Sequence, residues 1–304
     1  MRFGFKDVPL YLAYQAVSLL FAFLPRRACL DLGEGFGLLA YHLDAKHRRL
    51  ALNNLQMAFG SKKTVVERSL LARESFKRFG RVLADLVKLP LLNPGYLEKL
   101  VTLEGGENLS RALERGRGAL LFTGHFGNWE AGSLAVSRLA RLHVVARELD
   151  NALVEKKLLS FRRRLGALVI YKNQAARKVL QALKRNEAVA IVIDQNVLRR
   201  EGVFVDFFGR AASTTPGLAA FHLKTGAPLL PIFSFPRPDS GFRIRIGPPV
   251  ETSPSGSQAD DVLKITQACT RIIEARVREA PGSWLWFHDR WRSRPGEGHG
   301  QKTA

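Results

Sequence analysis

Residues 119–136 read ALLFTGHFGNWEAGSLAV. The apolar run Ala119–Phe122 predicts a short buried strand, and the segment from Glu130 onward predicts the start of a helix. His125 therefore follows the end of a strand, where open α/β sheets usually bind their ligands. A histidine held there, with a carboxylate five positions later, is suited to taking a proton from a hydroxyl group.

The same turn also has a purely structural interpretation. Asn128 is a natural N-cap, which would place Glu130 in the first helical turn, where its charge complements the helix dipole. His125 would then be only a polar residue in a loop. However, Gly124 and Gly127 let the backbone turn sharply and approach a ligand closely. Together with the strand before the turn and the helix after it, they favour a functional site.

Outward from this turn, the chain after residue 118 alternates between short apolar runs and helical patterns. The predicted strands are Ala119–Phe122, His143–Ala146, Leu168–Ile170, Ala188–Ile193, Leu229–Phe233 and Phe242–Ile246. The predicted helices are Glu130–Leu139, Leu153–Leu165, Ala175–Lys184, Pro216–Lys224 and Asp260–Arg278. This alternation predicts an α/β fold with a mostly parallel central sheet flanked by helices.

The part of the chain before this sheet shows mainly helical patterns. Helices are predicted over Ala28–Leu43, around Arg48–Leu55, over Glu67–Leu89 and near Asn108–Arg115. Pro90 ends the third of them. We expect one folded unit over residues 28–294, helical over 28–117 and α/β over 118–294, followed by a polar tail over 295–304.

The N-terminal segment Val8–Leu24 carries no charged residue and lies between basic residues on both sides. Its length is at the short limit for crossing a bilayer, and it lacks the small-residue cleavage site of a secretory signal. We expect residues 1–27 to form a membrane anchor, with a buried core helix as the alternative. Spanning the bilayer and lying in its interface both remain open.

The overall charge indicates an anionic partner. The 304 residues have a formal net charge of +20 and a pI near 10.6. Nucleic acid, an anionic membrane and an acidic carrier protein would all fit this charge. The 19 phenylalanines are scattered through apolar runs and do not alternate with Lys and Arg as stacking platforms would, which disfavours nucleic acid. Cys29 and Cys269 form neither a disulfide framework nor a zinc-like pattern, and we expect buried thiols.

The motif Gly124–Glu130 resembles the signature of the bacterial lipid A biosynthesis acyltransferases, the late enzymes that add secondary lauroyl- or myristoyl-type chains to the lipid A precursor. Four further stretches agree with this resemblance, which extends from the N-terminal apolar segment to about Arg294. They are Asp194–Asn196, Phe207–Gly209 with Ser213–Gly217, Thr225–Pro228 and Trp284–Trp291. The resemblance implies a glycerolipid-acyltransferase-like fold.

The resemblance also implies a mechanism. His125 would be the general base that deprotonates an acceptor hydroxyl, and Glu130 would orient the imidazole and balance its charge. The acyl group would come from acyl carrier protein rather than from acyl-CoA, at the cytoplasmic face of the inner membrane. Direct transfer is expected rather than an acyl-enzyme, because neither cysteine lies near the motif and no nucleophile-elbow pattern accompanies it. No cofactor is expected.

The predicted substrate-binding residues are Arg162, Asp194, Arg147, Asn128 and Gln195. Arg162 matches a functional arginine of the family, although Arg163 and Arg164 are adjacent alternatives; a guanidinium binds phosphates and carboxylates bidentately. Asp194 ends a strand at the sheet edge that also holds His125, where it would hold acceptor hydroxyls, support the site arginine or simply cap a turn. Arg147, after another strand, is a candidate for an acceptor phosphate.

The C-terminal segment Trp284–Trp291 has two interpretations, an amphipathic element at the membrane surface and a part of the core. Three other functions remain open. An acyltransferase acting on another glycolipid, such as a phosphatidylinositol mannoside, would share the motif. A metal-dependent hydrolase would use His125 and Glu130 as ligands, but no third ligand cluster is visible in the sequence. A basic module without enzymatic activity would bind membrane or nucleic acid.

Overall fold

A computed structural model describes residues 8–296. The N-terminal helices are α1 (Val8–Phe23), α2 (Arg26–Leu43), α3 (Ala45–Phe59), α4 (Val65–Lys88) and α5 (Pro94–Lys99). There follow β1 (Val101–Glu104), α6 (Gly106–Leu113), β2 (Ala119–Thr123), α7 (Gly132–Val136), β3 (Leu142–Ala146), α8 (Ala152–Arg164), β4 (Ala167–Tyr171) and α9 (Ala175–Lys184). The last elements are β5 (Ala188–Val192), β6 (Val203–Phe207), β7 (Arg210–Thr214), α10 (Gly217–Thr225), β8 (Leu229–Pro236), β9 (Phe242–Ile246) and α11 (Gln258–Glu279).

The main sheet has the strand order β1-β9-β8-β2-β5-β3-β4. The strands from β8 to β4 are mutually parallel, whereas β9 is antiparallel to β8 and β1 is parallel to β9. The prediction of a mostly parallel sheet flanked by helices is therefore confirmed, and each of the six predicted strands is present. Three strands were not predicted: β1, and the antiparallel hairpin of β6 and β7, which forms a separate small sheet.

Helices pack on both faces of the sheet, so its central strand β2 has no exposed side. All five residues of β2 are buried. Leu120 and Phe122 point into a core shared with α3, α4 and the C-terminal tryptophans, while Ala119 and Leu121 point into a second core with α5, α6 and α7. Burial on both faces is why β2 is an uninterrupted apolar run rather than an alternating one.

The helix after β2 is shorter than predicted. Residues Trp129–Ala131 form a 3₁₀ turn, and α7 ends at Val136 rather than at Leu139. Asn128 does cap this turn, as expected, because its side-chain oxygen accepts a hydrogen bond from the Ala131 N–H at 3.3 Å. Cys29 and Cys269 are both buried free thiols, which confirms that prediction.

The N-terminal apolar segment forms α1, a helix of 16 residues. Its C-terminal end is attached to the fold by the buried Lys88 ammonium, which donates hydrogen bonds to the carbonyls of Phe21 and Leu24 at 2.6 and 2.8 Å. Within residues 8–296, no helix combines the length and apolar character needed to span a bilayer. Residues 1–7 of the predicted anchor and residues 297–304 of the predicted tail lie outside the described part of the chain.

Helix α2 packs directly on α4 through glycines. A Cβ added to Gly80 would lie 2.0 Å from the Gly33 carbonyl oxygen, and one added to Gly33 would lie 2.5 Å from the Gly80 carbonyl oxygen. The two backbones therefore approach too closely for any larger residue at the crossing. We call the turn formed by the motif Gly124–Glu130 the motif turn. The close contact with α2 fixes the position of α4 and of those α4 side chains that face the motif turn.

We expect Gly80→Ala to lower the free energy of unfolding by about 1–3 kcal/mol, since the added methyl group must push the two helices apart. The matched control is Gly35→Ala on the exposed side of α2, where nothing lies within 4 Å of the new Cβ. That change should raise stability by about 0.5–1 kcal/mol because it removes only the entropic penalty of a helical glycine. Urea denaturation of both variants measures the difference, and a stabilising Gly80→Ala would contradict the close helix crossing.

Candidate active site

The sheet itself brings His125 and Asp194 together. Strands β2 and β5 are adjacent and parallel, and Thr123 at the end of β2 is paired with Val192 at the end of β5. His125 and Asp194 each lie two residues beyond this last pair. The expectation that both residues meet at the carboxyl edge of the sheet is therefore confirmed.

A hydrogen bond of 2.8 Å joins the His125 Nδ1 to the Asp194 Oδ1. The second oxygen of Asp194 accepts from the His125 backbone N–H at 2.6 Å and from the Trp284 indole N–H at 2.7 Å. Burial raises the pKa of Asp194, but the His125 ring, these N–H donors and their hydrogen bonds together bring it below its usual value. Since an ionised carboxylate only accepts, the ring proton of His125 is on Nδ1.

The other ring nitrogen of His125, Nε2, therefore carries a lone pair, which faces away from the carboxyl edge of the sheet. The side-chain amide of Gln195 donates to this Nε2 at 3.2 Å. The His125 side chain is 19% exposed, so a substrate hydroxyl can reach the nitrogen once the exposed Gln195 moves aside. Nε2 has the orientation that a general base requires.

Glu130 differs from the sequence expectation. Its buried carboxylate accepts hydrogen bonds from the Arg162 Nε, at 3.0 Å, and from the Arg162 Nη2. The carboxylate that orients His125 in the structure is instead Asp194. Glu130 lies five residues beyond His125, but it is part of the 3₁₀ turn Trp129–Ala131, and its side chain is directed towards Arg162 on α8.

Among the three consecutive arginines of α8, Arg162 is the one directed at the site. Burial lowers the pKa of Arg162, but the hydrogen bonds and the charge of Glu130 outweigh this and raise it above its usual value. Arg163 is exposed, and Arg164 donates to the carbonyls of Pro90 and Leu92 away from the motif turn. The structure thus separates three residues that the sequence left as alternatives.

Two glycines of the turn are fixed by close approach. A Cβ on Gly124 would lie 2.7 Å from the Asp194 Oδ2, within the hydrogen-bonded contact that holds His125. Gly127 has a φ of +57° and would place a Cβ 2.0 Å from the Ser234 carbonyl oxygen. Any other residue at either position would displace the turn.

A buried ion pair supports the turn from the helical side. Arg26 binds both oxygens of Asp85, at 2.8 and 2.9 Å, and Asp85 Oδ2 also accepts from the Asn128 Nδ2 at 3.1 Å. The side chain of Asn128 is thus hydrogen-bonded within the protein, to Asp85 and to the backbone of Ala131. It acts on the position of the turn, which is a different role from the substrate contact expected from the sequence.

Arg147 follows β3 at the same edge of the sheet. Its side chain is 74% exposed and pairs with the still more exposed Asp150 at 3.3 Å. An exposed pair of this kind is weak, so the guanidinium is available to another anion. The structure does not bring Arg147 into hydrogen-bonding contact with His125 or Asp194.

The sequence did not reveal the part played by the C-terminal segment. Trp284, Trp286 and Trp291 are buried, so the core interpretation is confirmed and the surface-element interpretation is wrong. Phe126 and Trp284 form a bridge between the motif turn and this segment, and the Gly127 N–H donates to the Ser283 carbonyl at 2.8 Å. The segment therefore closes one side of the site.

His288 belongs to the same segment and supports the loop after β5. Its Nε2 accepts a hydrogen bond from the Asn196 backbone N–H at 3.1 Å. Burial lowers the pKa of His288; the nearby Asp194 opposes this, and the charges of His125 and Arg290 add to the lowering. These contacts give His288 a structural role in holding this loop.

The arrangement does not resemble a metal centre. His125 is hydrogen-bonded to Asp194, and Glu130 to Arg162. The two side chains therefore do not converge on one point where a metal ion could be bound. In the stretch from residue 8 to residue 296, no three His, Cys, Asp or Glu side chains gather as a potential metal site. The chemistry that these residues support is base-assisted attack by a hydroxyl group.

Comparison with known proteins decides between the remaining functions. The family model described as bacterial lipid A biosynthesis acyltransferase matches residues 6–293. The chain belongs to this family. It is therefore an acyltransferase, which sets aside the metal-dependent hydrolase and the non-enzymatic basic module.

Individual relatives include both lipid classes considered from the sequence. The lipid A biosynthesis palmitoleoyltransferase of Escherichia coli K12 is 28% identical over 274 residues, covering 90% of this chain and 87% of the relative. The E. coli lauroyltransferase is 26% identical over 278 residues, covering 90% and 88%. The phosphatidylinositol mannoside acyltransferase of Mycolicibacterium smegmatis is 29% identical over 226 residues, covering 73% and 72%.

The lowered pKa of His288 predicts how stability depends on pH. Between the folded pKa and the usual value of 6.5, the unfolded chain binds more protons than the folded one. Acidification from pH 7.5 to 5.5 should therefore lower the free energy of unfolding, by at most about 1.4 kcal/mol per pH unit for this group.

Urea denaturation at pH 7.5, 6.5 and 5.5 measures this dependence. In His288→Gln a carboxamide oxygen can still accept the Asn196 N–H, but the side chain does not titrate. We expect this variant to lose less stability on acidification than the unmodified protein. Parallel pH dependences for the two proteins would contradict the assignment to His288.

Proposed function

We propose that this enzyme moves a fatty acyl chain from acyl carrier protein to a hydroxyl group of a lipid A precursor. The observation that carries the proposal is the His125 Nε2, whose tautomer is fixed by Asp194 and which faces the open edge of the sheet. Family membership supports the lipid A acceptor.

In the proposed reaction, His125 Nε2 removes the proton of the acceptor hydroxyl while its oxygen attacks the thioester carbonyl carbon. A C–O bond forms, and a tetrahedral oxyanion results. When this intermediate collapses, the C–S bond breaks and the imidazolium returns its proton to the thiolate. Asp194 remains ionised throughout and stabilises the imidazolium, as the carboxylate does in Ser-His-Asp triads.

The oxyanion requires hydrogen-bond donors, and the backbone of the turn supplies few. The N–H groups of His125, Phe126 and Gly127 already donate to Asp194, Gly124 and Ser283. The Gln195 amide, displaced from Nε2 by the acceptor hydroxyl, would remain within reach of the reacting carbon. We therefore assign Gln195 as an oxyanion donor, a contribution typically worth about 10²–10³-fold in rate.

Glu130 and Arg162 act as a positioning pair in this mechanism. Both side chains are largely buried, at 7% and 11% exposure, and the charge of each neutralises that of the other. Removing one would leave a buried unpaired charge, which is strongly destabilising. The pair anchors α8 to the motif turn and so fixes the wall beside His125.

The donor assignment rests on charge. Acyl carrier protein is acidic, and the chain has a net charge of +20, which would attract it at long range. Arg147 is exposed at the same sheet edge as His125 and would contact a phosphate of the acceptor. A phosphatidylinositol mannoside is the second candidate acceptor, supported by the mycobacterial relatives.

A transfer assay with labelled acyl carrier protein thioester and lipid A precursor tests the mechanism. His125→Ala should lower kcat by about 10²–10⁴-fold, the usual contribution of a general base. Asp194→Asn should approach the same loss because a carboxamide can donate to Nδ1 and favour the wrong tautomer. The matched control Asp260→Asn, on the exposed first turn of α11, should have no effect.

Equal turnover by the unmodified enzyme and His125→Ala would exclude this mechanism. The same assay with a phosphatidylinositol mannoside in place of the lipid A precursor tests the acceptor. We expect the lipid A precursor to have the higher kcat/KM, and a preference for the mannoside would overturn the acceptor assignment while leaving the base in place.

We further propose that the enzyme binds the cytoplasmic face of the inner membrane through one apolar surface. Helices α1 and α2 expose many large apolar side chains, and we call this set the α1–α2 surface. Its members are Leu10, Leu12, Val17, Leu19, Leu20, Phe23, Leu32, Phe36, Leu39 and Leu43. Patches of this kind on a basic protein are typical of interfacial membrane binding.

Flotation with vesicles of phosphatidylethanolamine and phosphatidylglycerol tests this surface. The double variant Phe36→Asp/Leu39→Asp should lower the partition coefficient by at least about tenfold, because two side chains each lose roughly 1.5–3 kcal/mol of apolar burial. The control Leu263→Asp changes a similarly exposed leucine on α11. Equal loss in both variants would show that the α1–α2 surface is not the specific contact.

A further inference from the structure

A cleft of about 390 Å³ lies between α2, α4 and the loop that connects β8 to β9. We call it the α2–α4 cleft. Arg78, Val82 and Gly127 line both this cleft and the smaller pocket that contains His125. The two cavities are therefore neighbours that share a wall, so a group bound in the α2–α4 cleft lies next to the pocket of His125.

The rim of the cleft is cationic. Lys77, Arg78 and Arg81 project from α4, and Arg237 projects from the loop between β8 and β9. Two of the positive charges of the cleft are neutralised locally, since Asp85 binds the buried Arg26 and Asp239 pairs with Arg237. Among the residues that line the cleft, Lys77, Arg78 and Arg81 then share the carboxylates of Glu34 and Glu74, and this local surplus of one cation favours an anionic ligand.

The carboxylates hold the cations in defined positions. Glu34 binds the Lys77 ammonium at 2.7 Å and the Arg81 Nη1 at 3.1 Å, and Glu74 accepts from the Arg78 Nε at 2.6 Å. Arg78 Nη1 donates to the Ser283 hydroxyl at 3.3 Å. Its Nη2 has no hydrogen-bond partner among residues 8–296. A guanidinium that is held through Nε and Nη1 can donate a hydrogen bond from its unpaired Nη2 to a phosphate oxygen.

Apolar side chains form part of the cleft wall. Leu30, Val82 and Phe242 are buried there beside the Arg26–Asp85 ion pair, and Pro236 and Pro238 line its exposed side. Apolar walls with a cationic rim match a sugar phosphate, whose ring faces are weakly polar and whose phosphate is strongly charged. A free inorganic anion would use only the rim.

The position of the cleft relative to the α1–α2 surface indicates a lipid-borne phosphate. Leu30 and Glu34 face the cleft, whereas Leu32 and Phe36 face outward, two residues and thus about 200° further around α2. One helix diameter, about 10 Å, therefore separates the apolar surface from the cleft. The headgroup layer of a bilayer is about 5–7 Å thick on each side, so a cleft about 10 Å from side chains that reach the hydrocarbon would lie at the outer edge of the headgroups.

We propose that the α2–α4 cleft binds a phosphate group of the acceptor glycolipid and that Arg78 and Arg81 are its ligands. This inference rests on the proposed function, because it assigns a subsite to the acceptor of that reaction. It also predicts specificity for phosphorylated acceptors. Arg78 lies between the phosphate and His125, so its contact would align the acceptor hydroxyl with Nε2.

Steady-state kinetics with the phosphorylated acceptor and with the same acceptor after phosphatase treatment test this subsite. Arg78→Gln and Arg81→Gln should each raise the acceptor KM about tenfold or more with the phosphorylated acceptor, as expected for loss of a charge-assisted hydrogen bond. Neither should change KM for the dephosphorylated acceptor or for the donor. Arg78→Lys should recover part of the loss, and Arg271→Gln, on the exposed side of α11, is the control.

Two results would overturn the proposal. One is an unchanged acceptor KM in both variants. The other is a rise in donor KM instead, which would assign the cleft to the phosphopantetheine arm of the carrier protein. Thermal denaturation identifies a variant that has simply lost its fold.

A binding measurement separates this proposal from the proposed function. His125→Ala alone and combined with Arg78→Gln can be titrated with the phosphorylated precursor in detergent micelles, where no turnover is needed. Weaker binding by the double variant supports the cleft, and equal binding contradicts it. Absence of transfer by the unmodified enzyme would instead count against the proposed function.

Discussion

The hydrogen bond between His125 and Asp194 is the contact on which the site depends. It joins the ends of two adjacent parallel strands, so its length follows from the register of β2 and β5. Two neighbouring features protect it: Gly124 leaves room for the Asp194 carboxylate, and the Trp284 indole donates to the second oxygen of that carboxylate. A buried carboxylate needs several donors of this kind to remain ionised.

Much of the fold could be predicted because the central strands are buried on both faces. An uninterrupted apolar run as short as Ala119–Phe122, flanked by glycines, favours a buried strand over a buried helix, and its end located His125 at the sheet edge. The remaining strands escaped prediction for identifiable reasons. β1 has only four residues, and the hairpin of β6 and β7 lies outside the main sheet, with its turn at the positive φ angles of Phe208 and Gly209.

The partners of the site residues were harder to predict than their location. Glu130 is near His125 along the chain, but the 3₁₀ turn sends its side chain to Arg162, whereas Asp194 reaches His125 from 69 positions away. Spacing along the chain does not report such a contact unless the order of strands in the sheet is known. The same limit applies to Trp284, since nothing in the local sequence of the C-terminal segment indicates that it packs against the motif turn.

The Trp284 contact has a consequence for biosynthesis. A ribosome makes the chain from the N-terminus at about 5–20 residues per second, so α1 and α2 emerge long before the segment that completes the site. The nascent protein could therefore reach a membrane while Asp194 still lacks its indole donor and the motif turn lacks its strand partner. The site is therefore completed only after the C-terminal segment with Trp284 has left the ribosome, which keeps a nascent chain without that segment inactive.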